Sequence, residues 1–167
     1  MPQIFVSIGT NVEHNKHLTM AMEQLYQNFG QLLISPVYQS AAVGFDGNDF
    51  YNLVAGFYSD LDVLALTQRF KDIERLSGRD HSAPKFSDRT LDIDLLNYGD
   101  EVINEPVVLP RDEILYHAFV LFPLADIASD WQHPVAAAPI SEIASKFDAS
   151  AQRLSQIADP INMDAYR

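Results

Sequence analysis

Two segments with apolar residues at helical spacing, each framed by short strand-like runs, constrain the first hundred residues more than any other feature. Residues 3–8 read as a strand closed by Gly9, Thr10 and Asn11. From Asn15 to Phe29, the residues Leu18, Met22, Leu25 and Phe29 recur at helical spacing, and Gly30 stops the run. Residues 31–39 and 50–58 read as strands on either side of a glycine-containing loop, residues 42–49. Asp62 is placed to cap a second helix, with Leu64, Leu66, Phe70, Ile73 and Leu76 as its apolar face up to Gly78. Residues 79–88 are charged and turn-forming, and residues 90–98 alternate as a strand. The order βαββαβ predicts an α+β, ferredoxin-like sandwich, with helices packed on one face of a mainly antiparallel sheet. After Pro110 the pattern predicts a short turn, a helix near residues 119–127, and helical patches at 141–147 and 149–157. No repeat or linker divides the chain, so residues 1–167 are expected to form a single domain.

The charge is unevenly spread. The formal net charge is -12, yet six of the eleven Lys and Arg residues (Arg69, Lys71, Arg75, Arg79, Lys85 and Arg89) lie between positions 69 and 89. A long nucleic acid would be repelled by most of such a surface, because its affinity comes from neutralising phosphates. A cationic pocket on an acidic protein suits a small anionic ligand such as a nucleoside triphosphate; a helix face that happens to be basic fits the charge pattern equally well. The chain has no cysteine, which excludes disulfides, thiolate metal sites and a cysteine nucleophile. With no long apolar run and no basic leader before Ile4, the expectation is a monomeric cytoplasmic protein without a membrane or nucleic-acid partner.

Between residues 90 and 98, Leu91, Ile93 and Leu95 point one way and Asp92 and Asp94 the other. Residues two apart on a strand put their side chains roughly 6–7 Å apart on one face. Two carboxylates so placed can hold hard cations together with substrate phosphates. An exposed strand face carrying alternating acids gives the same pattern. Arg89 and the preceding Arg79, His81 and Lys85 supply positive charge of the kind phosphoryl transfer requires, although Arg89 and Asp92 could also form a simple ion pair.

The run from Gly78 to Asp100, containing Arg79, His81, Lys85, Phe86, Arg89, Asp92 and Asp94, resembles the signature of 6-hydroxymethyl-7,8-dihydropterin pyrophosphokinases. The likeness extends to Gly9-Thr10-Asn11, to Pro36 through Ser40, to Phe50-Tyr51-Asn52, to Ile73-Glu74 and to the block Ala118–Leu124. The resemblance implies transfer of pyrophosphate from ATP to the hydroxymethyl group of a reduced pterin, with two Mg2+ ions held by Asp92 and Asp94. It implies that Arg79 and Arg89 assist the transfer, and that Lys71, Glu74, His81, Lys85, Arg111 and His117 serve the ATP site. The pterin would stack between Phe50 and Phe119, with Asn52, Ser40, Val43 and Phe86 completing its site. Asn52 also stands out on chemistry, since a buried amide in an apolar strand needs partners.

The departures from the family pattern cluster. Where the family carries Arg-x-Arg-x-x-x-Arg-Trp-Gly-Pro-Arg, this chain has His81, Lys85, Phe86, Ser87 and Asp88 between Arg79 and Arg89. Arg111 stands where His is common, and His117 where Arg is common. These changes keep open a diverged paralogue that binds nucleotide or pterin with altered or lost transfer.

Overall fold

The computed structural model describes residues 1–42, 44–79, 81–82, 88 and 90–167. Val43, Lys85, Phe86 and Arg89, each expected at the site, lie outside the described residues.

The first half follows the expected order. Strand β1 (Gln3–Thr10) leads to helix α1 (His14–Phe29), then come β2 (Leu33–Ile34), β3 (Val37–Ser40), β4 (Phe50–Tyr58), helix α2 (Val63–Leu76) and β5 (Asp92–Leu95). Asp62 caps α2 by accepting the Ala65 N–H at 2.8 Å. Gly30 ends α1 at φ +80, a conformation glycine adopts without strain. The strand expected over residues 31–39 is broken at Pro36, which has no N–H for the ladder. Ser35 bridges the break: its hydroxyl donates to the Pro36 carbonyl at 2.8 Å and accepts the Val54 N–H at 2.9 Å. Strand β5 is shorter than the expected 90–98 because the Asn97 side chain takes over, accepting the Phe5 N–H at 2.7 Å in place of a backbone partner.

The strands form a six-stranded sheet in the order β5-β1-β4-β3-β8, with β2 also on β4, and every pairing is antiparallel. Its first four members reproduce the ferredoxin-like arrangement. Ile4, Val6 and Ile8 of β1 and Leu53, Ala55 and Phe57 of β4 bury one face against Leu18, Met22 and Leu25 of α1 and Leu66, Phe70 and Ile73 of α2. Phe29 stacks on Phe57 with ring centroids 4.1 Å apart.

The second half extends the expectation. After α3 (Glu113–Tyr116), helix α4 (Ala118–Ala128) packs on the opposite face, its Val120, Leu121 and Leu124 against Phe5, Val54 and Leu96. Helices therefore cover both faces, not one. Gly56, opposite Phe5 in the register, makes room there: a Cβ would lie 3.0 Å from the Phe5 ring. Strands β6 (Gln132–His133) and β7 (Ala138–Pro139) form a small ribbon before α5 (Ile140–Lys146), which matches the patch expected at 141–147. The patch at 149–157 is not helical. Its second half is β8 (Leu154–Ile157), paired with the edge strand β3. Leu154 and Ile157, three apart, have helical spacing and fall on opposite faces of a strand, so pairing with the edge of β3 and not the local pattern decides the outcome. A 3-10 turn (Met163–Tyr166) closes the chain against β2. Among the described residues no helix is long and apolar enough to cross a membrane.

Candidate active site

Strand β5 sets the geometry. Leu91, Ile93 and Leu95 are buried in the core, so Asp92 and Asp94 project from the opposite face, as their alternation predicts. Asp92 lies opposite Gly9 and Asp94 opposite Ser7 on β1; Gly9 in turn lies opposite Asn52 on β4, and Asn52 opposite Tyr38 on β3. Directly opposed residues share a face. Asp92, Gly9 and Asn52 therefore form one row across three strands, spanning about 10 Å at the usual strand spacing. Helix α4 packs over the half of this face that carries Phe5 and Val54.

Helix α2 supplies the positive side. Arg79, just past the helix end at Gly78, donates from Nη1 to Glu74 Oε2 at 2.5 Å and to Asp92 Oδ1 at 2.7 Å. Glu74 is only 4% exposed; it also accepts the Ile93 N–H at 2.9 Å, and its Oε1 lies 2.9 Å from His81 Nε2. Burial pushes the Glu74 carboxyl up, opposed by these partners. Glu74 is thus the hub that fixes Arg79 and His81 beside β5. On the other flank Arg111 lies 3.7 Å from Asp94 and 2.8 Å from Glu113. Burial works against the Arg111 charge, but the carboxylates of Asp94, Glu113 and Asp92 outweigh it.

These groups line one cavity of about 310 Å3, which takes in Lys71, Glu74, Arg79, His81, Asp92, Asp94 and Arg111. Seven residues expected at the metal and nucleotide sites thus converge. Desolvation, and then the charge of Asp92, push the Asp94 pKa up to about 7, against the pull of Arg111. Two carboxylates brought together in this way favour a bound cation. Among the described residues no cluster of three His, Cys, Asp or Glu side chains has metal-ligand geometry. Magnesium needs no third side chain when substrate phosphates and water complete its shell. Arg79 Nε is buried with no partner among the described residues, a donor available to a phosphate oxygen.

A second cavity, of about 580 Å3, is lined by Ser40, Ala42, His117, Phe119 and the segment Ser150–Leu154. Ser40 Oγ accepts from Asn52 Nδ2 at 2.8 Å, and Asn52, 4% exposed, also donates to the Tyr38 carbonyl at 3.3 Å. Phe50 lies next to Gly9 on the same face as Asn52. His117 stacks on Phe119 with centroids 4.8 Å apart and so lies on this cavity, apart from the ATP-side residues with which it was expected. Burial lowers its pKa. Asp88 accepts from Asn11 Nδ2 at 2.9 Å, and Asn11 Nδ2 also reaches the Asn48 carbonyl at 3.2 Å. Asn11 thus links Asp88 to Asn48.

Three features of the site have no counterpart in the sequence reading. Gly9 leaves the floor between Asp92 and Asn52 free of a side chain, a role visible only in the register. Gln152 and Arg153 reach the second cavity from a tail that carries no motif.

A family model for 7,8-dihydro-6-hydroxymethylpterin-pyrophosphokinase matches residues 5–129. The 2-amino-4-hydroxy-6-hydroxymethyldihydropteridine pyrophosphokinase of Haemophilus influenzae is 34% identical over 132 residues, covering 75% of this chain and 81% of that protein. Its counterpart from Aquifex aeolicus is 30% identical over 145 residues, covering 85% of this chain and 90% of that one. The folic acid synthesis protein of Pneumocystis carinii is 31% identical over 147 residues, and the chain spans only 20% of its length. The wild-type HPPK-DHPS of Plasmodium falciparum, solved with pteroate, shares the fold at a TM-score of 0.69 and 14% identity, over 86% of this chain and 42% of that one. The chain belongs to the 7,8-dihydro-6-hydroxymethylpterin-pyrophosphokinase family.

Proposed function

We propose that this protein transfers pyrophosphate from ATP to 6-hydroxymethyl-7,8-dihydropterin, giving AMP and the pterin diphosphate, a step of folate biosynthesis. The observation that carries the reading is the row Asp92–Gly9–Asn52, which sets a carboxylate and a buried amide on one face on either side of a residue without a side chain. The nucleotide phosphates would occupy the smaller cavity, held by Arg79, Lys71 and Arg111. Asp92 and Asp94 would hold two magnesium ions, which supply charge neutralisation of the triphosphate. Asn52 and Ser40 would read the pterin edge, and Phe119 and Phe50 would offer rings for stacking. The pterin hydroxyl then attacks the β-phosphorus of ATP, the bond from that phosphorus to the oxygen bridging it to the α-phosphorus breaks, AMP leaves with that oxygen, and the hydroxyl proton passes to solvent. Guanidinium groups aimed at those oxygens stabilise the charge that develops on them.

The test is the variant Asp94→Ala assayed beside the unaltered protein with ATP, magnesium and the pterin. Turnover is expected to fall at least about a hundredfold, on the scale of losing one main electrostatic contributor. Calorimetric titration of magnesium with a non-hydrolysable ATP analogue counts the ions; near-normal turnover in the variant would contradict the carboxylate assignment.

A further inference from the structure

The junction of α3 and α4 leaves backbone groups without helical partners. Tyr116, the last residue of α3, has a carbonyl with no onward helix to accept from, and Ala118 opens α4 with a free N–H. His117, between them, is extended at φ -110 and ψ 116, and its side chain makes no cap. Both groups are satisfied by one amide from the tail. Gln152 Oε1 accepts the Ala118 N–H at 2.7 Å, and Gln152 Nε2 donates to the Tyr116 carbonyl at 2.9 Å. A primary amide carries the donor and acceptor that this pairing needs on one group.

The two bonds straddle His117, whose ring stacks on Phe119, and Phe119, His117 and Gln152 itself line the larger cavity. The family-matched region ends at residue 129, so this clamp comes from sequence outside it. Strand β8 begins two residues after Gln152 and is held in register on β3, with Leu154 opposite Ser40. The tail therefore reaches the junction from the same sheet edge that carries Ser40.

We propose that Gln152 is a positioning residue for the pterin site, fixing the peptides on either side of His117 so that Phe119 presents its ring to the acceptor. This rests on the pterin reading of the larger cavity. Gln152 acts through Phe119 and does not touch the nucleotide cavity, so its loss separates the two substrates. In Gln152→Ala both junction groups lose their partner and the start of α4 is free to reorient. In Gln152→Glu the acceptor for Ala118 is kept, but a carboxylate oxygen faces the Tyr116 carbonyl in place of the lost donor, so the clamp is only half restored.

The experiment measures pterin affinity by fluorescence titration with 6-hydroxymethyl-7,8-dihydropterin, and ATP-magnesium affinity by calorimetry, on the full chain and both variants. Gln152→Ala is expected to weaken pterin binding about tenfold, the scale of one or two lost hydrogen bonds. ATP affinity should stay within about twofold, and Gln152→Glu should retain only part of the pterin affinity, because it keeps the acceptor without the donor. Unchanged pterin affinity in Gln152→Ala would overturn the inference. So would an equal loss for both ligands in Gln152→Ala, which marks a general structural role. Failure of the unaltered protein to bind the pterin would instead overturn the pterin reading on which the clamp's purpose depends.

Discussion

Arg79 donates to Asp92 at 2.7 Å while holding Glu74 at 2.5 Å, so a side chain suited to phosphate is paired with one of the two carboxylates proposed to hold magnesium. The buried partner, Glu74, is what keeps it there. Replacing Glu74 by Ala leaves Arg79 and the Ile93 N–H without their shared acceptor inside the protein. Denaturant unfolding should show a loss of about 3 kcal/mol, the usual cost of breaking a buried pair. A change under about 1 kcal/mol would mean that water replaces the carboxylate.

Asp94 should make stability depend on pH in an unusual direction. Its pKa rises from the ordinary 3.8 to about 7 in the folded chain. Between those values the folded form binds more protons than the unfolded form, so the stabilisation is complete below about pH 4 and is lost as pH rises through about 7. Relative to Asp94→Asn, the unaltered protein should therefore lose melting temperature from pH 4 to pH 8 in the absence of magnesium. Added magnesium should reverse that loss at the upper end. Parallel curves for the two proteins would contradict the raised pKa.

Gly9 tests the open floor. A Cβ there would lie 3.6 Å from Asn52 Oδ1 and 3.7 Å from the Phe50 ring, ordinary contacts, so Gly9→Ala should fold with little change in melting temperature. Gly9→Val fills more of the space between Asp92 and Asn52. Pterin KM should rise in the order Gly, Ala, Val, reaching about tenfold or more for Val, a loss of one good contact in affinity terms. Equal pterin KM in all three would place the acceptor elsewhere.

Which parts of this were legible before the structure follows from where the determinants sit. The carboxylate pair was readable because Leu91, Ile93 and Leu95 mark the buried face of the strand and leave Asp92 and Asp94 no other direction. Helix α2 was readable because Asp62 and Gly78 bracket its apolar stripe. The second helical layer was harder: Phe5, Val54 and Leu96 point away from the first core, but nothing local says what covers them. Leu154 and Ile157 carry helical spacing, and pairing with the edge of β3 overrides it. His117 was grouped with the nucleotide residues by its position in the sequence, whereas its stacking on Phe119 depends on how α3 meets α4.

His81 tests the drift in the 79–88 segment. Its Nε2 already lies 2.9 Å from Glu74 Oε1, so an arginine there can keep the Glu74 contact and still present a second pair of donors to phosphate. His81→Arg should lower ATP KM by about threefold, with little effect on pterin KM. A rise in ATP KM would show that the histidine is matched to this protein's own nucleotide geometry.

The central claim is the transfer itself. The purified protein is incubated with magnesium, 6-hydroxymethyl-7,8-dihydropterin and ATP labelled at the β-phosphorus, and nucleotide and pterin products are followed together. The account predicts AMP and labelled pterin diphosphate in equal amounts, with no ADP. Folded protein that binds ATP yet releases no AMP, or that releases ADP, would contradict it.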